Sequence, residues 1–533
     1  MASQTTTPPT SSLLLKGGTL LLHDEHNHVV PTKSDLLIQN NLITKISPSI
    51  SAPLQDPATR VLDCTAKIIS PGFISTHAHL WQTQLKGLHP NHTLFQYLPC
   101  GCLAGSLYTT ADLFWGQLSG AMESLDAGTT TVVDHAHLNL GPDYPRTAVQ
   151  ALATSGLRAV YCYAPSRRAV SFNPLQTRED VTDPAVLADW SALAAAAAAA
   201  AAARTQKEEA NGDRSSSSSD RVSVGFAIDS LFLPTDKLKG IYAALRAGPH
   251  PAKIITSHAV GGPAFGKGRP YAVRILGEAG LLRPDVLLSH GTGLREEDVG
   301  VLREGGAFVS STPNTEMQMG MEPVSMWRSM LEGRVGSLGV DCHSWGTSYM
   351  PTQMNLILQQ RRVSRAQELG RLEEGLWPRR VEGTAEEAFN LGTIAGARAV
   401  GMEKEVGTLK EGYKADIVVF DGSSPGMLAA AAQDPVAAVV LHSSIRDVEV
   451  VIVDGIVRKE GGRLCDVRVE KPLEGLQEET VRAGRTISWR EVAEETLKSR
   501  DAIREKTQKI DFGPAEETVM DSFHLNRATM VEN

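Results

Sequence analysis

The apolar stretch that follows Pro71-Gly72 ends in His77-Ala78-His79. Residues two apart on a strand share a face, so an extended backbone here brings both imidazoles to one point. Converging neutral imidazoles are the first half of a divalent metal site. His258 closes a second apolar run (KIITSH), His290 a third (DVLLSH) and Asp341 a fourth (VGSLGVD). Any one of these would serve equally well as a hydrogen-bonding residue at a strand end. Four such ends together point to a metal centre. Imidazoles with one carboxylate suit Zn²⁺, with Fe²⁺ or Mn²⁺ as alternatives. A metal of this kind lowers the pKa of bound water toward about 7. The chemistry available to such a centre is activation of water as a nucleophile.

These side chains need a scaffold that collects strand ends. Strand candidates recur at 67–77, 129–136, 158–165, 222–229, 252–258, 285–290, 307–312 and 335–341, with helix-compatible stretches between most of them. β/α alternation implies a parallel sheet. Eight units over roughly 330 residues fit a (β/α)8 TIM-type barrel, whose C-terminal strand ends form the active-site mouth. The fold class is α/β, with a small β-sandwich domain formed by both chain ends. Residues 13–67 and 405–465 share a texture of short strands and glycine turns (LLLKGGTLLL, GTLKEGYKADIVVFD) and form that composite domain. Residues 68–404 form the barrel, and 191–220 are a low-complexity insertion. Within it Ala194–Ala203 reads as an extended helix and Ser215–Ser219 as a flexible loop. Residues 466–533 read as a helical tail, on the surface or at a subunit contact.

Composition narrows the partners. The chain has 533 residues with a formal net charge of −9 and no Lys/Arg cluster. Nucleic acid and anionic membrane are poor partners for such a surface. No apolar run reaches the roughly 18–20 residues of a membrane helix, and residues 1–12 lack the layout of a signal peptide. Of six scattered cysteines only Cys100 and Cys102 are close, and C-x-C is not the usual zinc or redox spacing. Reduced thiols in a cytoplasmic protein are expected, acting on a small molecule.

At this level the chain resembles the amidohydrolase superfamily of metal-dependent hydrolases, in its cytosine deaminase and triazine-hydrolase-like branch. The stretches that carry the likeness are SPGFISTHAHLWQTQLKGL, AGTTTVVDHAH, SHGTGLREED, STPNTEMQMGMEPV and SLGVDCHSWG, with GTLKEGYKADIVVFD and VVIVDGIVRKEGG at the β-rich end. The resemblance implies His77, His79, His258 and Asp341 as metal ligands. Asp341 would also move protons, and His290 would contact the nucleophile or the substrate. It implies a homodimer or larger homo-oligomer. Binuclear members place a carboxylated lysine at the end of strand four, and VSVGFAID offers none, so one metal is expected. Ring deaminases of this branch carry a Glu three residues after the strand-five His, where this chain has Gly261. Glu316, after strand seven, is the candidate to take over part of that proton-transfer or binding role. Trp81, Gln84, His135 and His343 are expected to line or support the pocket. His23, His26 and His28 are read as solvent-exposed.

The reaction expected is cleavage of a non-peptide C–N bond, by deamination or by opening a cyclic amide or amidine. The missing Glu keeps dechlorination, ester or lactone hydrolysis and decarboxylation as alternatives. A non-catalytic oligomeric scaffold is least favoured, because all four expected ligands are present.

Overall fold

The computed structural model describes all residues except 1–11, 52–58, 166, 180–181, 212–220, 262–270, 322–326, 333, 371–375, 377, 524, 526 and 531–533. The serine tract at 215–219 lies outside the described residues.

The chain begins in a mixed sheet: β1 (Ser12–His23), β2 (Val29–Gln39), β3 (Leu42–Ser47), β4 (Arg60–Asp63) and β5 (Lys67–Pro71). It then enters the barrel through β6 (Phe73–His79), β7 (Thr129–Ala136) and β8 (Arg158–Tyr163). A hairpin of β9 (Arg167–Phe172) and β10 (Leu175–Glu179), absent from the sequence expectation, follows the third barrel strand. The barrel continues through β11 (Val222–Ala227), β12 (Ile255–Ala259), β13 (Val286–His290), β14 (Phe308–Ser311), β15 (Gly336–Leu338) and β16 (Asp341–Cys342). The chain then returns to the first sheet as β17 (Ile417–Asp421), β18 (Val448–Val453), β19 (Ile456–Glu460) and β20 (Arg463–Leu464). The composite sheet runs β20-β19-β18-β17-β5-β1-β2-β3, with β4 also on β1. Leu13, Leu15, Leu36, Ile69, Ile417, Val419, Val450 and Ile452 form its own apolar core.

The barrel is wholly parallel, and its strands are buried along nearly their full length, as expected for strands covered on both faces. Its last strand is divided, with β15 pairing β14 and β16 pairing β6 to close the ring. Gly339 sits at the division. A Cβ there would lie 2.7 Å from the His77 carbonyl and 2.8 Å from Ser310 Oγ, so only glycine lets the backbones approach this closely.

Barrel and composite sheet are joined by buried charge. Arg158, at the start of β8, grips Asp416 with two hydrogen bonds of 2.8 and 3.0 Å and reaches Asp454 at 3.2 Å. Arg221 approaches Asp454 at 3.6 Å.

Two expectations need correction. The helix Pro184–Asn211 contains a 20-residue stretch, Pro184–Ala203, long and apolar enough to cross a membrane by length and composition. Its apolarity comes largely from alanine methyls. Its large side chains face the protein: Trp190 and Leu193 are buried, and the Trp190 indole N–H donates to the Gly225 carbonyl at 3.0 Å. His23, expected in solvent, is partly buried, with ring contacts to Asn390 Oδ1 at 2.9 Å and Thr408 Oγ1 at 3.0 Å. His26 and His28 are exposed. In the C-terminal region the helix Trp489–Thr507 docks on the helix Thr110–Asp126, where Ser499 Oγ donates to Asp112 Oδ1 at 2.6 Å.

Candidate metal centre

Barrel register brings the predicted residues together. Asp341 pairs with Ala78, between the two histidines of β6, and His290 pairs with Ala259, beside His258. Asp341 Oδ1 lies 3.1 Å from His77 Nε2 and 3.2 Å from His79 Nε2. His258 Nε2 lies 3.4 Å from His79 Nε2. The His290 ring stands 5.3 Å from that of His77, centroid to centroid.

Each imidazole is held by its other nitrogen. His77 Nδ1 meets Ser289 Oγ at 2.7 Å, and His290 Nδ1 meets Thr312 Oγ1 at 2.8 Å. His79 Nδ1 lies 2.7 Å from the His135 carbonyl, and His258 Nδ1 lies 3.0 Å from Asp229 Oδ2. A carbonyl or carboxylate oxygen only accepts, so these Nδ1 atoms donate and the Nε2 atoms present lone pairs. His77 Nε2 is buried with no hydrogen-bond partner.

Two imidazole lone pairs and a carboxylate oxygen packed this closely repel one another unless a cation lies between them. Zinc bonds of about 2.0–2.2 Å in tetrahedral geometry separate ligand atoms by about 3.3–3.6 Å, within a few tenths of an ångström of the spacing here. Burial holds the His77 imidazole well below its usual value and hence neutral. That is the state a metal ligand needs.

Two of the converging residues carry an unfavourable backbone. His290 has φ 74° and Asp341 φ 63°, left-handed values that residues other than glycine rarely adopt. Each costs on the order of 1–3 kcal/mol and persists where surrounding structure enforces it, commonly at functional sites.

Glu316 is fully buried, and its carboxylate accepts from the Thr312 backbone N–H at 2.6 Å and from Ser311 Oγ at 2.9 Å. Its Oε1 is 3.6 Å from His290 Nδ1, so it stands behind His290, joined to it through Thr312. His135 is in the cluster, with Nε2 3.2 Å from Asp229 Oδ2. Trp81 packs against His137 and Tyr108, with ring centroids at 6.2 and 5.3 Å. Gln84 is not brought to the cluster, because its amide donates to the Asp112 carbonyl at 2.7 Å and to Ser499 Oγ at 3.1 Å. His343 sits between Ser348 and Glu123, with contacts of 3.2 and 3.5 Å. Gly261 exchanges two hydrogen bonds with Thr292, at 2.9 and 3.0 Å.

Sequence reasoning missed Asp229. Its Oδ2 meets His258 Nδ1, and its Oδ1 accepts the His258 backbone N–H at 2.8 Å. The available signal was its place two residues past the fourth barrel strand.

The amidohydrolase family model matches residues 68–457. The chain belongs to the amidohydrolase family. Among curated relatives of this amidohydrolase is a 5'-deoxyadenosine deaminase of Methanobrevibacter smithii, 24% identical over 82% of this chain and 91% of the relative. A 5-methylthioadenosine/S-adenosylhomocysteine deaminase of Desulforudis audaxviator is 24% identical over 82% and 92%. The fold is shared with a zinc-bound adenosine deaminase from Xanthomonas campestris, with TM-score 0.68, 16% identity and coverage of 92% and 98% of the two chains. It is also shared with the zinc complex of an atrazine chlorohydrolase from Arthrobacter aurescens, with TM-score 0.65, 17% identity and coverage of 92% and 99%. This amidohydrolase is a metal-dependent hydrolase.

Proposed function

We propose that this amidohydrolase is a one-metal aminohydrolase that replaces the exocyclic amino group of a heteroaromatic ring with hydroxyl. His77, His79, His258 and Asp341 would hold the metal, Zn²⁺ by their chemistry. The observation that carries this reading is that Asp341 Oδ1 lies 3.1 and 3.2 Å from His77 and His79 Nε2 and His258 Nε2 lies 3.4 Å from His79 Nε2, while the opposite nitrogens are anchored. A single metal is supported by the end of the fourth strand, where Asp229 is engaged by His258 and His135. Lys253 instead donates to the Gly401 carbonyl at 3.1 Å.

When bound, the metal supplies Lewis acidity and a nucleophile at neutral pH. Asp341 accepts the proton lost by the attacking water and delivers it to the leaving nitrogen. His290, oriented by Thr312, hydrogen-bonds at the attacked centre. Glu316 fixes that orientation and takes part in proton movement through Thr312. Trp81 and His135 line the substrate side. Adenosine-type nucleosides, named for the relatives, are the first substrates to test.

A second reading keeps the site and changes the leaving group to chloride or an alkoxide. Gly261 favours it, because this position brings no carboxylate to protonate a ring nitrogen. Free thiols at all six cysteines support a cytoplasmic location, and the family likeness supports a homo-oligomer.

The test is ammonia release from 5'-deoxyadenosine, 5'-methylthioadenosine and amino-triazines by the metal-loaded protein, beside chloride release from chloro-triazines. Ammonia that disappears in His77→Ala/His79→Ala supports deamination. Chloride alone moves the protein to the second reading.

A further inference from the structure

His89, His92 and Cys100 form a second cluster in the stretch that follows the first barrel strand. His89 Nδ1 lies 3.0 Å from His92 Nδ1, and Cys100 Sγ lies 3.8 and 3.7 Å from those two atoms. A tetrahedral zinc site has N···N edges of about 3.3 Å and N···S edges of about 3.6 Å. The three donors thus already stand close to where a single ion needs them. His89 is fully buried and Cys100 nearly so. His89 Nε2 is buried with no hydrogen-bond partner. The ring's orientation is therefore set by packing and by what Nδ1 meets.

We propose that His89, His92 and Cys100 bind a zinc-type divalent cation, distinct from the ion at the catalytic centre. Three protein ligands leave a fourth position on the side of His92, the most exposed of the three, where water can complete the shell. Burial pushes the His89 imidazole down to about 4 and the Cys100 thiol up to about 11. The histidine is thus neutral and ready to ligate. The thiol releases its proton to solvent as the sulfur–metal bond forms.

The position of this cluster gives the ion work to do. Tyr97 lies between the ligands in sequence, and its hydroxyl contacts Gln82 and, at 3.3 Å, the sulfur of Cys342, next to Asp341. The His89 ring stacks on Trp345 at 6.2 Å. Gln318 donates to the carbonyls of His89 and Pro90 at 3.0 and 3.2 Å. An ion here would tie three points of the loop after the first barrel strand to one another, and that loop packs through these contacts against the loops after the seventh and eighth.

The inference does not depend on the reaction catalysed, and its test reads metal directly. The full-length protein is dialysed free of loosely bound ions and analysed for zinc, beside His77→Ala/His79→Ala, Cys100→Ser and His92→Asn. Two equivalents in the parent are expected, and one in each variant. Cobalt-substituted parent is expected to show thiolate-to-cobalt charge-transfer absorption in the near ultraviolet that Cys100→Ser lacks and Cys342→Ser keeps. One equivalent in the parent, lost entirely in His77→Ala/His79→Ala, overturns the proposal. So does thiolate absorption that survives Cys100→Ser and vanishes in Cys342→Ser, or its absence from the parent. Should Cys100→Ser not fold, the His92→Asn zinc content and the parent's absorption decide.

Discussion

Asp229 holds His258 twice, by the ring at 3.0 Å and by the backbone N–H at 2.8 Å. One carboxylate thus fixes both the tautomer and the position of a proposed ligand. Partners of this kind typically set metal affinity within about 10–100-fold. Asp229→Asn is expected to weaken zinc binding by about that factor in a chelator competition, with the fold retained. Affinity equal to the parent's would show that His258 is positioned without it.

Removing the ion itself is expected to stop turnover. Dialysis against a strong chelator should abolish product formation, and added Zn²⁺ should restore it, in the parent but not in His77→Ala/His79→Ala. Turnover that survives full demetallation would count against the ligand set.

Glu316 tests the support behind His290. Its carboxylate accepts hydrogen bonds from Ser311 and Thr312, and such charged hydrogen bonds are worth about 1.5–3 kcal/mol each. Glu316→Gln is expected to lower kcat by about tenfold, one such bond's lower value, and to lower Tm. Unchanged kcat at full stability would leave Glu316 as a loop-capping residue only.

Asp454 tests the joint between barrel and composite sheet. Burial alone would raise its carboxyl, but Arg158 and Arg221 outweigh burial and hold it below the usual value. Its contribution to stability is complete above about pH 3.9, the ordinary Asp value, and is lost as acid titrates through the lower folded-state value. Removing one partner of a buried ion pair costs about 3–5 kcal/mol. Asp454→Asn is expected to lower stability by that order at neutral pH in denaturant unfolding, and to flatten the acid limb below about pH 3.9.

The residues that converge were legible because each ends a strand, and a parallel barrel gathers strand ends. His77, His79, His258, His290 and Asp341 needed only the alternation of apolar runs. Asp229 closes the fourth strand candidate, 222–229, in the same way, but that strand end was read only for a bridging lysine. Its role depends on how the loop after β11 meets the end of β12, which no local pattern encodes. Gln84 was drawn toward the pocket by its nearness in sequence to His79, yet helical geometry after the strand turns its amide toward Asp112 and Ser499. The division of the last barrel strand shows in sequence only as Gly339-Val340, too short a signal to read. His89-x-x-His92 with Cys100 is present as a spacing, but the fold of the loop between them is what brings the three side chains together. The apolar length of the helix Pro184–Asn211 went unread because alanine is weakly apolar residue by residue.

Pro71 faces Ile417 across the β5–β17 ladder, so the whole barrel is an excursion between two adjacent points of one sheet. On the ribosome this has a cost in time. At roughly 5–20 residues per second, the roughly 350 residues between those partners take about 20–70 s to emerge. Throughout that interval β5 offers an apolar, unpaired edge, the kind of surface on which nascent chains associate wrongly. The first sixty residues after β1 begins thus hold an open apolar edge until β17 emerges, and a fragment ending before β17 is expected to aggregate.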